Sequence, residues 1–114
     1  MEIIFLPQAG KRIYSFEAKE QWESLVRYAP LKDDALRKDV ENLCLNAYRE
    51  LECRDAGRAD VRLDAQGRPG FMEINTLPGL RPGYSDLPLI AEQEGIPYAD
   101  LIGSIISSAR QRML

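Results

Sequence analysis

The stretch GRADVRLDAQGRPGFMEINTLPGLRPG, residues 57–83, decides how the rest of the chain is read. In residues 58–64, Ala59, Val61 and Leu63 point one way while Arg58, Asp60, Arg62 and Asp64 point the other, the period of a strand with one apolar face. Residues 71–75 alternate again, with Met72 and Ile74 against Phe71, Glu73 and Asn75. Between them Gly67, Pro69 and Gly70 supply turn chemistry. A hairpin symmetric about Gln66 and Gly67 sets Asp60 opposite Glu73 and Arg58 opposite Asn75. A loop of this length leaves other registers open. In that register two carboxylates and an amide oxygen share one face.

Adjacent carboxylates repel unless a cation or a proton stands between them. Oxygen donors from Asp, Glu and Asn suit a hard cation, and Mg²⁺ held by a few carboxylates and phosphate oxygens is the common case. The plain alternative is a solvated polar face whose carboxylates pair with Arg58 and Arg62.

The composition narrows the field. At 114 residues the chain reads as one domain. It is 45% hydrophobic and 29% charged, as soluble globular proteins are. A net charge of −3 lacks the basic excess of a nucleic-acid binder. The short apolar start, broken by Pro7, is no signal peptide or membrane span, which makes a cytoplasmic protein the expectation. Without a histidine there is no Ser-His-Asp triad and no Cys-His dyad. Cys44 and Cys53 fall on what reads as one helix, about 13 Å apart along its axis. That exceeds the reach of a disulfide, so two free thiols are expected, with Cys44 a small core residue.

Residues 2–6 and 12–18 read as strands of a first hairpin, and residues 19–31 as a short helix or a loop that ends at Pro30. A long helix is expected from Asp33 or Asp34 to about Cys53. Its apolar stripe is Leu36, Val40, Leu43, Ala47, Tyr48 and Leu51, facing the sheet. Ser85 and Asp86 begin a shorter helix that Gly95 stops. Pro97 opens the last, with a stripe of Leu101, Ile102, Ile105, Ile106 and Ala109. The order predicts an α+β fold, an antiparallel sheet from two hairpins packed against helices.

The combination of Gly57-Arg58-Ala59-Asp60-Val61 with Met72-Glu73-Ile74-Asn75-Thr76-Leu77-Pro78-Gly79 resembles the metal-binding signature of the D-alanine–D-alanine ligase family, in the ATP-grasp superfamily. Tyr14-Ser15-Phe16-Glu17-Ala18-Lys19 and Tyr28-Ala29-Pro30-Leu31 match that family in order and spacing. The resemblance covers nearly the whole chain, as the C-terminal portion of an ATP-grasp ligase domain; the N-terminal and central domains of such ligases have no counterpart here.

The resemblance implies an ATP-dependent ligase of peptidoglycan precursor synthesis, which activates a carboxylate as an acyl phosphate for attack by an amine. Its cofactors would be ATP and Mg²⁺, its substrates D-alanine-like amino acids. Asp60, Glu73 and Asn75 would hold magnesium, Glu73 as the shared ligand. Lys19 would contact ATP phosphates. Arg58 would stabilise the tetrahedral intermediate and the Gly79 amide would help form the oxyanion hole. Ser85, at a helix start, and Arg81 would bind the carboxylate of the amine-side substrate. Plainer readings stand beside these: a surface lysine, a surface ion pair, a turn glycine, an N-cap.

The chain departs from the family where Tyr84 holds the place of the usual serine, with Ser85 one step late, and where Glu20 replaces a common tyrosine. Both departures touch substrate choice. The chain alone is expected to be inactive. Two other readings are an interaction module that keeps the motif as scaffold, working through a homo-oligomer or partner, and a hydrolase using the Asp60–Glu73 pair.

Overall fold

A computed structural model describes residues 2–5 and 26–113. The chain divides into two compact units, Met1–Leu31 and Lys32–Leu114. In the first, strands β1 (Glu2–Phe5) and β2 (Val26–Ala29) pair antiparallel, Glu2 opposite Ala29 and Phe5 opposite Val26. The segment expected to be a helix or a loop therefore contains a strand, and that strand is a partner of β1. Val26 and Tyr28 are β-formers, and Pro30 ends the run because it has no N–H to give to a ladder. The strand expected over residues 12–18 lies outside the described residues, as does Lys19.

The second unit holds α1 (Asp34–Glu50), β3 (Arg58–Leu63), β4 (Pro69–Asn75), α2 (Asp86–Gln93) and α3 (Tyr98–Met113). The α+β class is as expected. Among the described residues the strands form two separate two-stranded sheets, not one. No helix of the described residues is long and apolar enough to cross a membrane.

Asp33 caps α1, its Oδ1 accepting the Leu36 N–H at 3.0 Å. The expected stripe holds for Leu36, Val40, Leu43, Ala47 and Tyr48, which are half-buried, and α1 lies against β4 and β3. The helix stops at Glu50, short of Cys53, because Glu52 takes a left-handed φ of 53° and the Cys53 N–H turns back to the Tyr48 carbonyl at 3.0 Å. Leu51 is thereby turned out to solvent. Both cysteines are free thiols, as expected, and Cys44 is half-buried.

Helix α2 ends in a Schellman motif: Gly95 at φ 73°, with the Ile96 N–H bonded to the Ala91 carbonyl at 2.8 Å. Pro97 precedes α3, and its carbonyl accepts the Leu101 N–H at 3.1 Å. On α3, Leu101, Ile102, Ile105 and Ala109 are half-buried, whereas Ile106 faces solvent and Ser108 takes a half-buried place in the stripe. The most deeply buried described residues, Asp86, Pro88 and Ala91, all lie on α2, which packs against α3.

Candidate metal and substrate site on the second hairpin

The hairpin between β3 and β4 closes on Asp64. Its Oδ1 accepts the N–H groups of Gln66 and Arg68, both at 2.9 Å, and its Oδ2 accepts from Arg68 Nε at 2.8 Å. The Arg68 backbone N–H first, then the Arg68 guanidinium and the Gln66 N–H, hold the Asp64 carboxyl below the usual carboxylate range. Gly67 takes φ 77° and completes the turn. Pro69 and Gly70, expected in the turn, are instead the first residues of β4. Proline is tolerated there because a strand's first residue need not donate to the ladder.

The ladder runs Leu63 to Pro69, Arg62 to Gly70 and Val61 to Phe71, then skips Met72, so that Asp60 pairs with Glu73, Ala59 with Ile74 and Arg58 with Asn75. This β-bulge changes the expected faces. Phe71 shares the side of Val61, Glu73 shares the side of Asp60, and Met72 is the extra residue, exposed to 60%. Met72 is thus not part of the apolar face assigned to it from alternation, because a bulge breaks period two.

The hairpin brings together four of the residues predicted from sequence. Arg58 donates from Nε to Asp60 Oδ1 at 2.9 Å and from Nη2 to Asp60 Oδ2 at 3.2 Å. Glu73 lies opposite Asp60 and is exposed. Asn75, opposite Arg58, folds its Oδ1 back onto the Leu77 N–H at 3.0 Å, which fixes the amide and leaves that oxygen a second lone pair. Asp60, Glu73 and Asn75 offer only oxygen donors, the kind magnesium takes. Among the described residues no group of three His, Cys, Asp or Glu side chains is placed to hold an ion; this set is two carboxylates and one amide. Burial first, and then the negative charge of Asp60, push the Cys44 thiol up from its ordinary value.

Gly79, Arg81 and Ser85 meet in the loop that follows. Ser85 stands at the N-cap position of α2 without capping it; its Oγ accepts the Arg81 N–H at 3.0 Å instead. A Cβ on Gly79 would come within 2.7 Å of Ser85 Oγ. The Arg81 guanidinium covers the Tyr84 ring, 4.6 Å from its centroid. Tyr98 donates its hydroxyl to the Leu80 carbonyl at 2.7 Å and ties the loop to the start of α3.

Sequence reasoning placed Asp86 only at the start of a helix. It is 8% exposed, and its Oδ2 accepts from Arg58 Nη1 at 3.3 Å. An acidic residue in a first helical turn is ordinary, so nothing in the sequence marks this one as facing Arg58. A separate cleft of about 370 Å³ is lined by Tyr48, Cys53, Asp55, Ser108 and Arg112, among others, and by none of the predicted site residues. There Asp55 accepts from Ser108 Oγ at 2.9 Å and from Arg112, fastening α3 to the segment after α1.

Comparison with known proteins gives this hairpin its context. The family described as D-ala D-ala ligase C-terminus matches residues 4–107. The chain is 40% identical to the D-alanine--D-alanine ligase of Cupriavidus taiwanensis over 107 residues, 93% of this chain and 32% of that protein. It is 38% identical to that of Alcanivorax borkumensis over 100 residues, 87% of this chain and 32% of that protein. With the one from Shouchella clausii it shares 36% identity over 110 residues, 94% of this chain and 29% of that protein. The chain thus spans about a third of the length of these relatives. It belongs to the D-alanine–D-alanine ligase C-terminus family.

Proposed function

We propose that this chain carries the magnesium- and ATP-binding face of an ATP-dependent carboxylate–amine ligase, acting on D-alanine-like amino acids in the cytoplasm, as the C-terminal portion of an ATP-grasp domain. The observation that carries this reading is the register that pairs Asp60 with Glu73 and Arg58 with Asn75. Family membership supports it.

In this reading Asp60, Glu73 and Asn75 hold magnesium, Glu73 as the shared ligand. When bound, the ion neutralises charge that spreads over the transferred phosphoryl group. Lys19 contacts the ATP phosphates. Arg58 steadies negative charge on the substrate oxygen, and the Gly79 N–H adds a second donor. The Ser85 hydroxyl and the Arg81 guanidinium receive the carboxylate of the amine-side amino acid. The Arg81 N–H already holds Ser85 Oγ in place, and Ser85 keeps a hydroxyl proton with which to donate.

By itself the chain supplies one face of this site, so no turnover is expected from it alone. Further protein, either other domains of the same ligase or a second copy, would complete the site. Equilibrium dialysis with ATP and magnesium tests the reading: the chain retains nucleotide and Glu73→Ala does not. Equal retention by the variant would remove the assignment. Steady ADP release from ATP and D-alanine by the chain alone would contradict its inactivity.

A further inference from the structure

We propose that Asp86 is a positioning residue that takes up the charge of Arg58 and so keeps Asp60 available to a divalent cation. The inference rests on the metal reading of Asp60, Glu73 and Asn75, and it gives a role to a carboxylate which that reading leaves unused.

Arg58 is a competitor for the metal position. Its Nε and Nη2 engage both oxygens of Asp60, at 2.9 and 3.2 Å, in a forked pair. A cation at Asp60 must share those oxygens with a guanidinium whose charge repels it. The third arm of Arg58, Nη1, reaches Asp86 Oδ2 at 3.3 Å.

The two carboxylates differ in what they can exchange. The Asp60 side chain is 42% exposed, so water or an ion can replace the guanidinium there at little cost. Asp86 is 8% exposed on the first turn of α2, and a buried carboxylate stripped of its partner is strongly disfavoured. The end of the bridge that gives way is therefore Asp60. With Asp86 present, Arg58 keeps a counter-charge when Asp60 is engaged elsewhere. Without it, more of the Arg58 charge bears on Asp60.

The test is Mn²⁺ binding to the full chain, followed by the electron paramagnetic resonance of the free ion. Asp86→Asn is expected to weaken Mn²⁺ affinity about tenfold, and Asp86→Glu to stay close to wild type. Arg58→Met is expected to tighten binding, and Asp86→Asn added to it to have little further effect. A purely structural role for Asp86 would not produce that dependence on Arg58. Unchanged affinity in Asp86→Asn, or an equal loss with and without Arg58, overturns the inference. Should Asp86→Asn fail to fold by circular dichroism, Arg58→Met decides alone, and unchanged or weaker binding there overturns it. Wild-type binding that is lost in Glu73→Ala but untouched in Asp86→Asn leaves the metal reading standing without this inference. No Mn²⁺ binding by the wild type removes the metal reading itself, and the inference with it.

Discussion

Asp60 and Glu73 are cross-strand partners only because Met72 is skipped. The turn at Asp64 sets Leu63 opposite Pro69, and a regular ladder continued from that pair would bring Asp60 opposite Met72. The bulge advances β4 by one residue, restores the carboxylate pair and brings Ile74, opposite Ala59, to the side that Val61 and Phe71 already share.

The Met72 side chain is therefore expendable. Met72→Ala should change stability by no more than about 0.5 kcal/mol. Deleting Met72 should leave Asp60–Glu73 and Val61–Phe71 as consecutive pairs, visible as cross-strand nuclear Overhauser effects. A shift that pairs Ala59 with Glu73 would contradict this description of the bulge.

The turn carries its own pH dependence. The folded-state pKa of Asp64 is depressed, chiefly by the Arg68 N–H, so ionised Asp64 contributes stability above its unfolded pKa. That contribution is lost as pH falls through the lower folded value. The gap between the melting temperatures of wild type and Asp64→Ala should therefore be widest at neutral pH and narrow below pH of about 4. A gap independent of pH would show that the charge of Asp64 is not involved.

Gly79 is required by its neighbour, whatever its part in catalysis. An alanine there would press on Ser85, with its Cβ 2.7 Å from Oγ and 3.2 Å from the serine Cβ. Gly79→Ala should lower stability by about 1–3 kcal/mol in denaturant unfolding, and Ser85→Gly should relieve most of that loss. Full additivity of the two changes would mean that the loop moves apart freely.

Much of this arrangement was legible before the structure. The turn formers and flanking alternation locate the hairpin, and symmetry about Gln66 and Gly67 leads to the Asp60–Glu73 register. It does so by a compensating route: the turn is centred on Gln66 itself, which offsets the register by one residue, and the bulge makes up the difference. Nothing local marks Met72 as the residue to be skipped, because its hydrophobicity fits the alternation it breaks. The periodic face of α1 was readable as far as Tyr48. Leu51 was not, since a left-handed residue at Glu52 ends the helix and periodicity does not report backbone sign. The strand Val26–Ala29 is only four residues long, too short to declare a period, and its pairing with β1 is non-local. The Asp86 contact with Arg58 spans 28 positions and depends on where α2 is carried by the loop after Asn75.

The most direct measurement of the central claim is a Mg²⁺ titration followed by ¹H–¹⁵N nuclear magnetic resonance, with and without ATP, on wild type and Glu73→Ala. The account predicts shifts concentrated on Asp60, Glu73 and Asn75 and their cross-strand neighbours, deepened by ATP and absent in the variant. Shifts spread evenly over the acidic surface, or unchanged in Glu73→Ala, would contradict it.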